Sequence, residues 1–331
     1  MADDGAAISA PAVSVPAPSV SVSRAATPAI AVLGLEKHYG AKRAVDGLSF
    51  EVAAGEIFAL LGPNGAGKTT TVEVLEGYRR ADAGTVRVLG RDPGREAEPL
   101  RREIGVMLQE CGLYPGLRPL EVLRLFAAFY DDPERPEELL ERVGLDDARR
   151  TTVRRLSGGQ KQRLSFAAAL IGKPRLVFLD EPTAGMDPHA RATTWEHVRE
   201  LQGKGVTVVL TTHLLDEAEA ICDRVAIITN GTLAAIGSPR ELTSRAQTHE
   251  VRFTTSGVID MIALARAVNV DPARVSMVRD GEFEIRSAGT PELIARLAGH
   301  LRDANVVLGS LHANERSLEA VFLQITDESA P

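Results

Sequence analysis

Short apolar runs alternate with helical stretches along residues 30–237. The runs EIFALLG, RLVFLD and VTVVLTT are almost continuously apolar, as strands buried on both faces of a sheet usually are. Stretches between them, such as TTWEHVRELQG, have the spacing of helices. This alternation predicts an α/β domain over residues 29–240, with a mostly parallel sheet covered by helices on both sides. The charged, mostly helical segment 112–155 is expected to be an insertion between strands that extends to about residue 172.

A second pattern begins near residue 241. The stretches HEVRFTTS, RVSMVRD, GEFEIRS and NVVLGSLHA resemble strands, whereas VIDMIALARAV and TPELIARLAGHLRDAN resemble helices. Thr290 followed by Pro291 and Glu292 is typical of a helix start. The order β-α-β-β-α-β predicts a small α+β unit over residues 241–331, of the ferredoxin-like kind. A last helix is expected near residues 316–326, where LEAVFLQIT has an apolar face.

The first 28 residues have a different composition from the rest. Residues 1–28 are rich in Ala, Ser, Val and Pro and show no sustained period. Their four prolines disfavour both helix and central strand. Asp3 and Asp4 stand where a secretory signal would carry basic residues, and prolines interrupt the stretch that follows. We therefore expect a disordered cytoplasmic tail.

The composition of the 331 residues argues against some classes of function. The formal net charge of −7 disfavours a chain that coats nucleic acid or anionic lipid through bulk charge. Cys111 and Cys222 have neither a disulfide framework nor a metal-ligand spacing, so a reducing compartment is expected. No apolar run approaches the roughly 18 residues that would span a bilayer. Any membrane role is therefore expected to be peripheral.

A glycine-rich loop carries the clearest chemistry. GPNGAGKT at residues 62–69 matches G-x-x-x-x-G-K-[ST], directly after a predicted strand and directly before a predicted helix. Glycines allow successive backbone N–H groups to face an anion, and the helix N-terminus adds partial positive charge. We expect Lys68 to reach the β- and γ-phosphates of ATP and the Thr69 hydroxyl to bind Mg²⁺. The residues of this loop predicted to bind nucleotide are Gly62, Pro63, Asn64, Gly65, Ala66, Gly67, Lys68, Thr69 and Thr70.

A pair of acids ends another predicted strand. RLVFLDE at residues 175–181 is apolar up to Asp180 and Glu181. A carboxylate suits a hard cation, so Asp180 is predicted to hold Mg²⁺, directly or indirectly. Glu181, one residue further on, is predicted to orient or deprotonate the attacking water. Acidic strand ends are common, but the phosphate loop elsewhere in the chain favours the functional interpretation.

A second helix start with exposed backbone donors follows the insertion. LSGGQKQR at residues 156–163 precedes the predicted helix LSFAAALIG. Ser157 suits a helix N-cap, and Gly158 and Gly159 expose backbone N–H groups ahead of Gln160. The chain therefore has two helix starts that can bind an anion.

With this motif in place, residues 30–237 resemble the nucleotide-binding subunit of an ABC transporter. In that family the signature LSGGQ lies upstream of the second acidic motif. The same order holds here, with the phosphate loop at 62–69, the signature at 156–160 and the acids at 180–181. The resemblance implies a P-loop NTPase of ABC type that hydrolyses ATP to ADP and phosphate with Mg²⁺.

The resemblance also implies roles for residues that would otherwise be unremarkable. Tyr39 matches the aromatic residue that stacks on adenine, and Gln109 matches the glutamine that contacts Mg²⁺, the attacking water and the membrane partner. Asp187 matches the acid of the D-loop, AGMD at residues 184–187, where Met186 replaces the usual leucine. His213 matches the switch histidine that touches the γ-phosphate. The expected catalytic residues are Gln109, Glu181 and His213, and the expected metal ligands are Thr69, Gln109 and Asp180.

Later stretches are similar to the daunorubicin-resistance branch of ABC exporters. These stretches are TTHLLDEAEAICDRVAIITNGTLAAIGSP and the ending LEAVFLQIT. That branch keeps the ATPase and the membrane-spanning subunit on separate chains. The resemblance thus implies an ATPase that powers a permease on the cytoplasmic side of the cell membrane, exporting a drug, antibiotic or other hydrophobic compound. An importer ATPase is an alternative. A soluble ABC ATPase acting on ribosomes or DNA is another, disfavoured by the single cassette and the absence of heptads.

A phosphate loop and a signature in one subunit usually lie too far apart to share one nucleotide. The family solution is a head-to-tail homodimer. Each ATP is then expected to lie between the phosphate loop and acids of one subunit and Ser157 and Gly159 of the other. ATP closes such a pair, and hydrolysis opens it. No nucleic-acid partner is expected.

Overall fold

The computed structural model describes residues 27–108, 112–245, 251–257, 259–313 and 317–328. Gln109 and almost all of the predicted tail therefore lie outside the described residues. The strands are β1 (Ile30–Tyr39), β2 (Lys42–Val52), β3 (Ile57–Leu61), β4 (Ala83–Val88), β5 (Ile104–Met107), β6 (Leu176–Asp180), β7 (Thr207–Thr211), β8 (Arg224–Thr229), β9 (Thr232–Gly237), β10 (Val251–Thr255), β11 (Val275–Arg279), β12 (Glu282–Ile285) and β13 (Leu308–Ala313).

The helices follow the same chain order. They are α1 (Lys68–Leu75), α2 (Ala97–Arg101), α3 (Pro119–Ala127), α4 (Pro136–Arg142), α5 (Gly158–Leu170), α6 (Pro188–Gly203), α7 (Leu215–Ile221), α8 (Pro239–Arg245), α9 (Met261–Val268), α10 (Pro291–Asp303) and α11 (Leu318–Glu328). Within the described residues, no helix is both long enough and apolar enough to cross a membrane.

A six-stranded sheet forms the centre of the first part of the chain. Its order is β5-β6-β7-β3-β8-β9, and all neighbours are parallel except β8 and β9. Successive residues of β3 face opposite sides: Ile57 and Leu61 belong to one core, and Phe58 and Leu60 to the other. All four are fully buried, which confirms the predicted parallel sheet with both faces covered.

Three strands of this part form a separate antiparallel sheet, which the prediction of one mostly parallel sheet did not include. Its order is β2-β1-β4. Only residues 40 and 41 connect β1 to β2, and Gly40 has a φ of +60°. So short a turn permits only an antiparallel hairpin, because a parallel pair needs a long crossover. This sheet covers one face of the larger sheet, where Phe50 stacks on Phe58 with ring centroids 5.6 Å apart.

The helical insertion packs on the other face of the central sheet. Val122 and Leu123 of α3 and Leu139 and Leu140 of α4 are fully buried in the same core as α5. The insertion thus packs against α5, the helix that begins with the signature.

Strands β10–β13 and helices α9 and α10 form a unit with its own core. The sheet order is β11-β12-β10-β13, and every neighbouring pair is antiparallel. Phe253 and Phe283 stack with centroids 5.5 Å apart in this core. Thr290 caps α10 by accepting a hydrogen bond from the Leu293 amide at 3.2 Å, as its sequence context predicts.

The last helix returns to the first part of the chain. Leu318 and Val321 of α11 are buried in the core that contains Ile221 of α7 and Leu242 of α8. The Leu318 amide donates a hydrogen bond to Glu219 Oε2 at 2.8 Å. The stretch from residue 241 onward is therefore divided between two cores rather than forming one separate body.

Candidate active site

The phosphate loop connects β3 to α1, as the sequence predicts. Gly67 precedes α1 with a φ of +103°, and a Cβ there would lie 2.3 Å from the Ala44 carbonyl oxygen. A Cβ on Gly62 would lie 2.2 Å from the Ile228 carbonyl oxygen. Both contacts are too close for any side chain. The loop therefore depends on glycine at these two positions because neighbouring backbone presses against it.

Lys68 folds its side chain over the loop. Its Nζ donates hydrogen bonds to the carbonyl oxygens of Gly62 at 2.6 Å and Pro63 at 3.1 Å. Burial lowers the pKa of Lys68 from its ordinary value, and the nearby carboxylates of Glu181 and Asp180 oppose that shift. The Lys68 ammonium therefore lies at the phosphate loop, close to the two acids at the end of β6.

Tyr39 borders the same pocket as the phosphate loop. The pocket has a volume of about 200 Å³. Its lining consists of Tyr39, Lys42, Ala44, Asn64, Gly65, Gly67, Lys68, Thr69 and Thr70. Tyr39 is 42% exposed, so part of its side chain is open to solvent at this pocket. The Arg79 guanidinium lies 5.5 Å from the ring centroid, a cation–π contact.

Asp180 ends β6 beside the end of β7. The two strands are parallel neighbours with Asp180 opposite Thr211, and the Thr211 hydroxyl donates a hydrogen bond to Asp180 Oδ1. Thr211 orients the carboxylate that is predicted to hold Mg²⁺. Sequence reasoning did not identify Thr211. The available signal was its place at the polar end of the apolar run VTVVLTT.

Glu181 has an unusual backbone conformation for a residue with a side chain. Its φ is +49°, and its amide donates to the Thr211 carbonyl oxygen at 3.1 Å. Glu181 Oε2 lies 2.7 Å from Nδ1 of His213, which is itself 65% exposed. A strained conformation held by neighbouring strands is typical of functional sites. The structure therefore brings together the two residues predicted to act on the attacking water and the γ-phosphate.

Another acid near Asp180 was not predicted from the sequence. Glu76 directly follows α1 and is only 3% exposed. Burial raises the pKa of Glu76 to about 8, and the charges of Asp180 and Glu73 add to the effect. Glu76 is therefore largely protonated at neutral pH. The signal in the sequence was an acid that directly follows two apolar residues at the end of a helix, in VEVLEG.

The signature forms the start of α5, and Ser157 is its N-cap as predicted. The Ser157 hydroxyl accepts from the Gln160 amide at 3.2 Å, and the Gln160 side chain accepts from the Ser157 amide at 2.9 Å. Among the described residues, no atom lies within 4 Å of a Cβ built on Gly158. The remaining backbone donors of this first turn thus face an open surface.

The D-loop packs beside the signature of the same chain. A Cβ on Gly159 would lie 3.6 Å from Met186 Cγ and 3.8 Å from the Gly185 carbonyl oxygen. Asp187 caps α6 by accepting from the amides of His189 at 3.0 Å and Ala190 at 2.9 Å. The bond from Ala190 is the main reason that the pKa of Asp187 is lowered. Met186 is buried, so it fills the place of the usual leucine.

The predicted site residues thus form two clusters. The phosphate cluster consists of Tyr39, residues 62–70, Asp180, Glu181 and His213. The signature cluster consists of residues 157–160 and 185–187. No residue of the signature cluster lines the pocket at the phosphate loop. The pocket at the phosphate loop and the start of α5 are thus different parts of the chain's surface.

Known proteins are similar to this chain in sequence and in fold. The family model described as ABC transporter matches residues 45–184. A daunorubicin resistance ATP-binding protein of Streptomyces coeruleorubidus is 39% identical over 91% of this chain and 96% of its own length. The Nod factor export ATP-binding protein I of Ralstonia nicotianae is 37% identical over 91% of this chain and 94% of its own.

A solved ATP-binding subunit of an ABC transporter has a similar structure. The TM-score is 0.62, with 31% identity over 66% of this chain and 93% of that one. These matches confirm the ABC-type P-loop fold and the resemblance inferred from the motifs. The chain belongs to the ATP-binding subunits of ABC transporters, in the daunorubicin-resistance branch, and is an ATPase.

Proposed function

We propose that this ATPase powers a membrane-spanning permease on a separate chain and that the pair exports a drug, antibiotic or other hydrophobic compound. Two relatives that cover nearly the whole chain support this, since one is named for daunorubicin resistance and the other for Nod factor export. Binding to the permease would hold the protein at the cytoplasmic face of the membrane.

The phosphate cluster supplies the groups that hold the triphosphate and a metal ion. Lys68 would turn from the carbonyl oxygens of its own loop to the β- and γ-phosphates. Thr69 and Asp180 offer a hydroxyl and a carboxylate, the hard oxygen donors that suit Mg²⁺, and Thr211 already orients that carboxylate. Bound Mg²⁺ would offset negative charge on the phosphate oxygens. Gln109, which lies outside the described residues, is proposed as a further ligand.

Glu181 would activate the attacking water. Its carboxylate would accept a proton from the attacking water, and His213, 2.7 Å away, would orient it and contact the γ-phosphate. Tyr39, which is exposed beside the phosphate loop, would stack on the adenine. The strained backbone of Glu181 is consistent with a carboxylate that must be held in one place.

We propose a nucleotide-dependent homodimer in which each ATP lies between the phosphate cluster of one subunit and the signature cluster of the other. The observation that carries this proposal is the open first turn of α5 at Gly158, outside the phosphate-loop pocket of its own chain. Backbone donors at a helix start bind anions, so this surface suits the γ-phosphate of a nucleotide held by a second copy. A head-to-tail pair then completes two identical sites.

We further propose a division of the chain into a tail (residues 1–28), an ATP-binding domain (29–240) and an accessory domain (241–331). The order β13-β10-β12-β11 supports a ferredoxin-like accessory unit. Helix α11 would join the two domains, because Leu318 is buried in the ATPase core. Through this link the accessory domain could support the dimer or the complex with the permease.

Closure of the dimer can be tested with Glu181→Gln, which we expect to keep Mg-ATP binding but to slow hydrolysis. The purified variant should be a monomer without nucleotide and shift toward a dimer with Mg-ATP, as measured by size-exclusion chromatography with light scattering. Adding Ser157→Arg should abolish the shift because its bulk and charge would enter the partner's γ-phosphate site.

The matched control is Ser157→Ala in the same background, which removes the cap of α5 without adding bulk. It should retain most of the shift. Monomeric Glu181→Gln with ATP bound, at high protein concentration, would contradict closure of the isolated subunit. The permease is tested separately by purifying the chain from solubilised membranes, where a polytopic protein that stimulates its ATPase is expected.

A further inference from the structure

A groove rich in arginine lies between the end of α1, strand β4 and the loop that follows it. Its volume is about 650 Å³. The side chains and backbone that define this arginine groove are Arg79, Arg80, Arg87, Asp92, Gly94 and Arg95. It shares no lining residue with the pocket at the phosphate loop. Such a concentration of guanidinium groups stands out in a chain with a net charge of −7.

Two of the four arginines have their charges compensated within the fold. Arg79 Nε donates to Glu73 Oε2 at 2.6 Å, and Arg95 Nε lies 3.7 Å from Asp92 Oδ2. Among the described residues, Arg80 and Arg87 form no ion pair. The groove therefore holds positive charge that its own carboxylates do not balance.

The single aspartate that lines the groove, Asp92, stabilises the loop and forms no ion pair with Arg80 or Arg87. Asp92 Oδ1 accepts a hydrogen bond from the Gly94 amide at 2.9 Å and so closes the turn. The aliphatic stem of Arg80 passes close by, since a Cβ on Gly94 would lie 3.9 Å from Arg80 Cγ. Packing against this turn limits where the Arg80 guanidinium can go.

Arg87 comes from a different element. It lies on β4, opposite Ala31 of β1, and is exposed while its neighbours Val86 and Val88 are buried in the core. The strand alternation thus places Arg87 and Thr85 on the groove side. Two unpaired guanidinium groups, one on a strand and one on the segment after α1, therefore converge on one concave surface.

We propose that the arginine groove binds a phosphate-bearing anion with at least two negative charges, held by Arg80 and Arg87. A guanidinium presents a planar fork of donors that matches phosphate oxygens. Two such groups suit a pyrophosphate or a ligand with two phosphomonoester groups. The volume of the groove is that of a small-molecule site, and the acidic chain around it disfavours a long polyanion. Such an anion can be a soluble metabolite or the headgroup of a phosphorylated lipid.

The probe is inorganic pyrophosphate, titrated calorimetrically into the full chain carrying Lys68→Ala, so that the phosphate loop contributes less to binding. Pyrophosphate should bind this protein, and adding Arg80→Gln with Arg87→Gln should weaken binding by about tenfold or more. The control adds Arg150→Gln with Arg154→Gln, which removes the same charge from an exposed part of the insertion. It should bind like the Lys68→Ala protein, and thermal melts should show that all variants are folded.

A second measurement separates the two sources of phosphate. Vesicles of phosphatidylcholine with and without phosphatidylinositol phosphate are sedimented with the same variants. Arginine-dependent binding to the phosphorylated vesicles assigns the groove to a lipid headgroup, and pyrophosphate binding alone assigns it to a soluble anion. Equal binding by the arginine double variant and its control, or no binding of either probe, would overturn the proposal. The proposed nucleotide site is unaffected by either result, because ATP binding is measured separately on the parent protein.

Discussion

The phosphate cluster and the signature cluster differ in how their functional groups are held. In the phosphate cluster the functional side chains bind one another or their neighbours: Lys68 contacts its own loop, and Glu181 contacts His213. In the signature cluster Ser157 and Asp187 instead cap helices, and backbone amides face an open surface. The first surface carries strong charge and strain, whereas the second carries mostly neutral donors.

This difference indicates a division of labour. A charged, strained cluster can bind a metal ion and move a proton, while a neutral, open helix start can complement an anion presented by another molecule. Changes in the phosphate cluster should therefore abolish ATP hydrolysis. Changes in the signature cluster that add bulk or charge should prevent assembly, whereas changes that remove a cap should lower local stability.

The largest effect is expected from Lys68→Ala. Without the ammonium at the mouth of the loop, ATP binding should be strongly weakened and hydrolysis should fall to background, with the fold intact. Nucleotide titration and phosphate release are the measurements. Lys204→Ala, an exposed lysine at the end of α6, is the control and should hydrolyse ATP normally. Normal hydrolysis by Lys68→Ala would refute the role of the phosphate cluster.

Glu181→Gln should separate chemistry from binding within the same cluster. Glutamine keeps the size and hydrogen bonding of the side chain but cannot accept the proton, so the rate should fall by about two to four orders of magnitude. ATP affinity should stay close to that of the parent protein. Glu51→Gln, on an exposed position of β2, is the control. An unchanged rate in single-turnover assays would show that another group accepts the proton.

Glu76→Gln should show how the buried acid near Asp180 affects the free energy of unfolding. The pKa of Glu76 is about 8 in the folded protein, against an ordinary value of 4.5. Between these pH values the folded state keeps a proton that the unfolded chain has lost, so this group's contribution to stability falls as the pH rises. The variant should therefore be more stable than the parent by about 4 kcal/mol at pH 8, with little difference at pH 4.5. Urea unfolding at both pH values measures this, and parallel pH profiles for the two proteins would contradict it.

Ser157→Ala tests the signature cluster as a structural element. Loss of the cap of α5 should cost about 1 kcal/mol of unfolding free energy, and Ser157→Thr should recover most of it. ATP binding by the isolated monomer should be unchanged, because no signature residue lines its pocket. A large loss of nucleotide affinity in Ser157→Ala monomers would mean that the two clusters are not separate.

Deletion of residues 1–26 should have the smallest effect. The segment has little apolar surface to bury, so the melting temperature and the ATPase rate of the protein should stay nearly unchanged. Differential scanning calorimetry of the shortened and full chains measures this. A marked drop in the melting temperature would show that the segment packs on the folded part.

The sequence alone was sufficient for the local parts of this protein. The phosphate loop, the cap at Ser157 and the acids ending β6 could be predicted because each is recognisable in a short contiguous stretch of sequence. A positive φ, a helix start or a strand end imposes its chemical requirement on contiguous positions. The order of these motifs also sufficed to identify the family, which the comparisons confirm.

Contacts between distant segments were decided only by the tertiary structure. Thr211 reaches Asp180 because β6 and β7 are neighbours in register, and the two unpaired arginines converge because β4 lies beside the end of α1. The return of α11 to the ATPase core, through Leu318, is of the same kind. These arrangements follow from strand order and packing, which depend on the burial of whole faces rather than on any short stretch of residues.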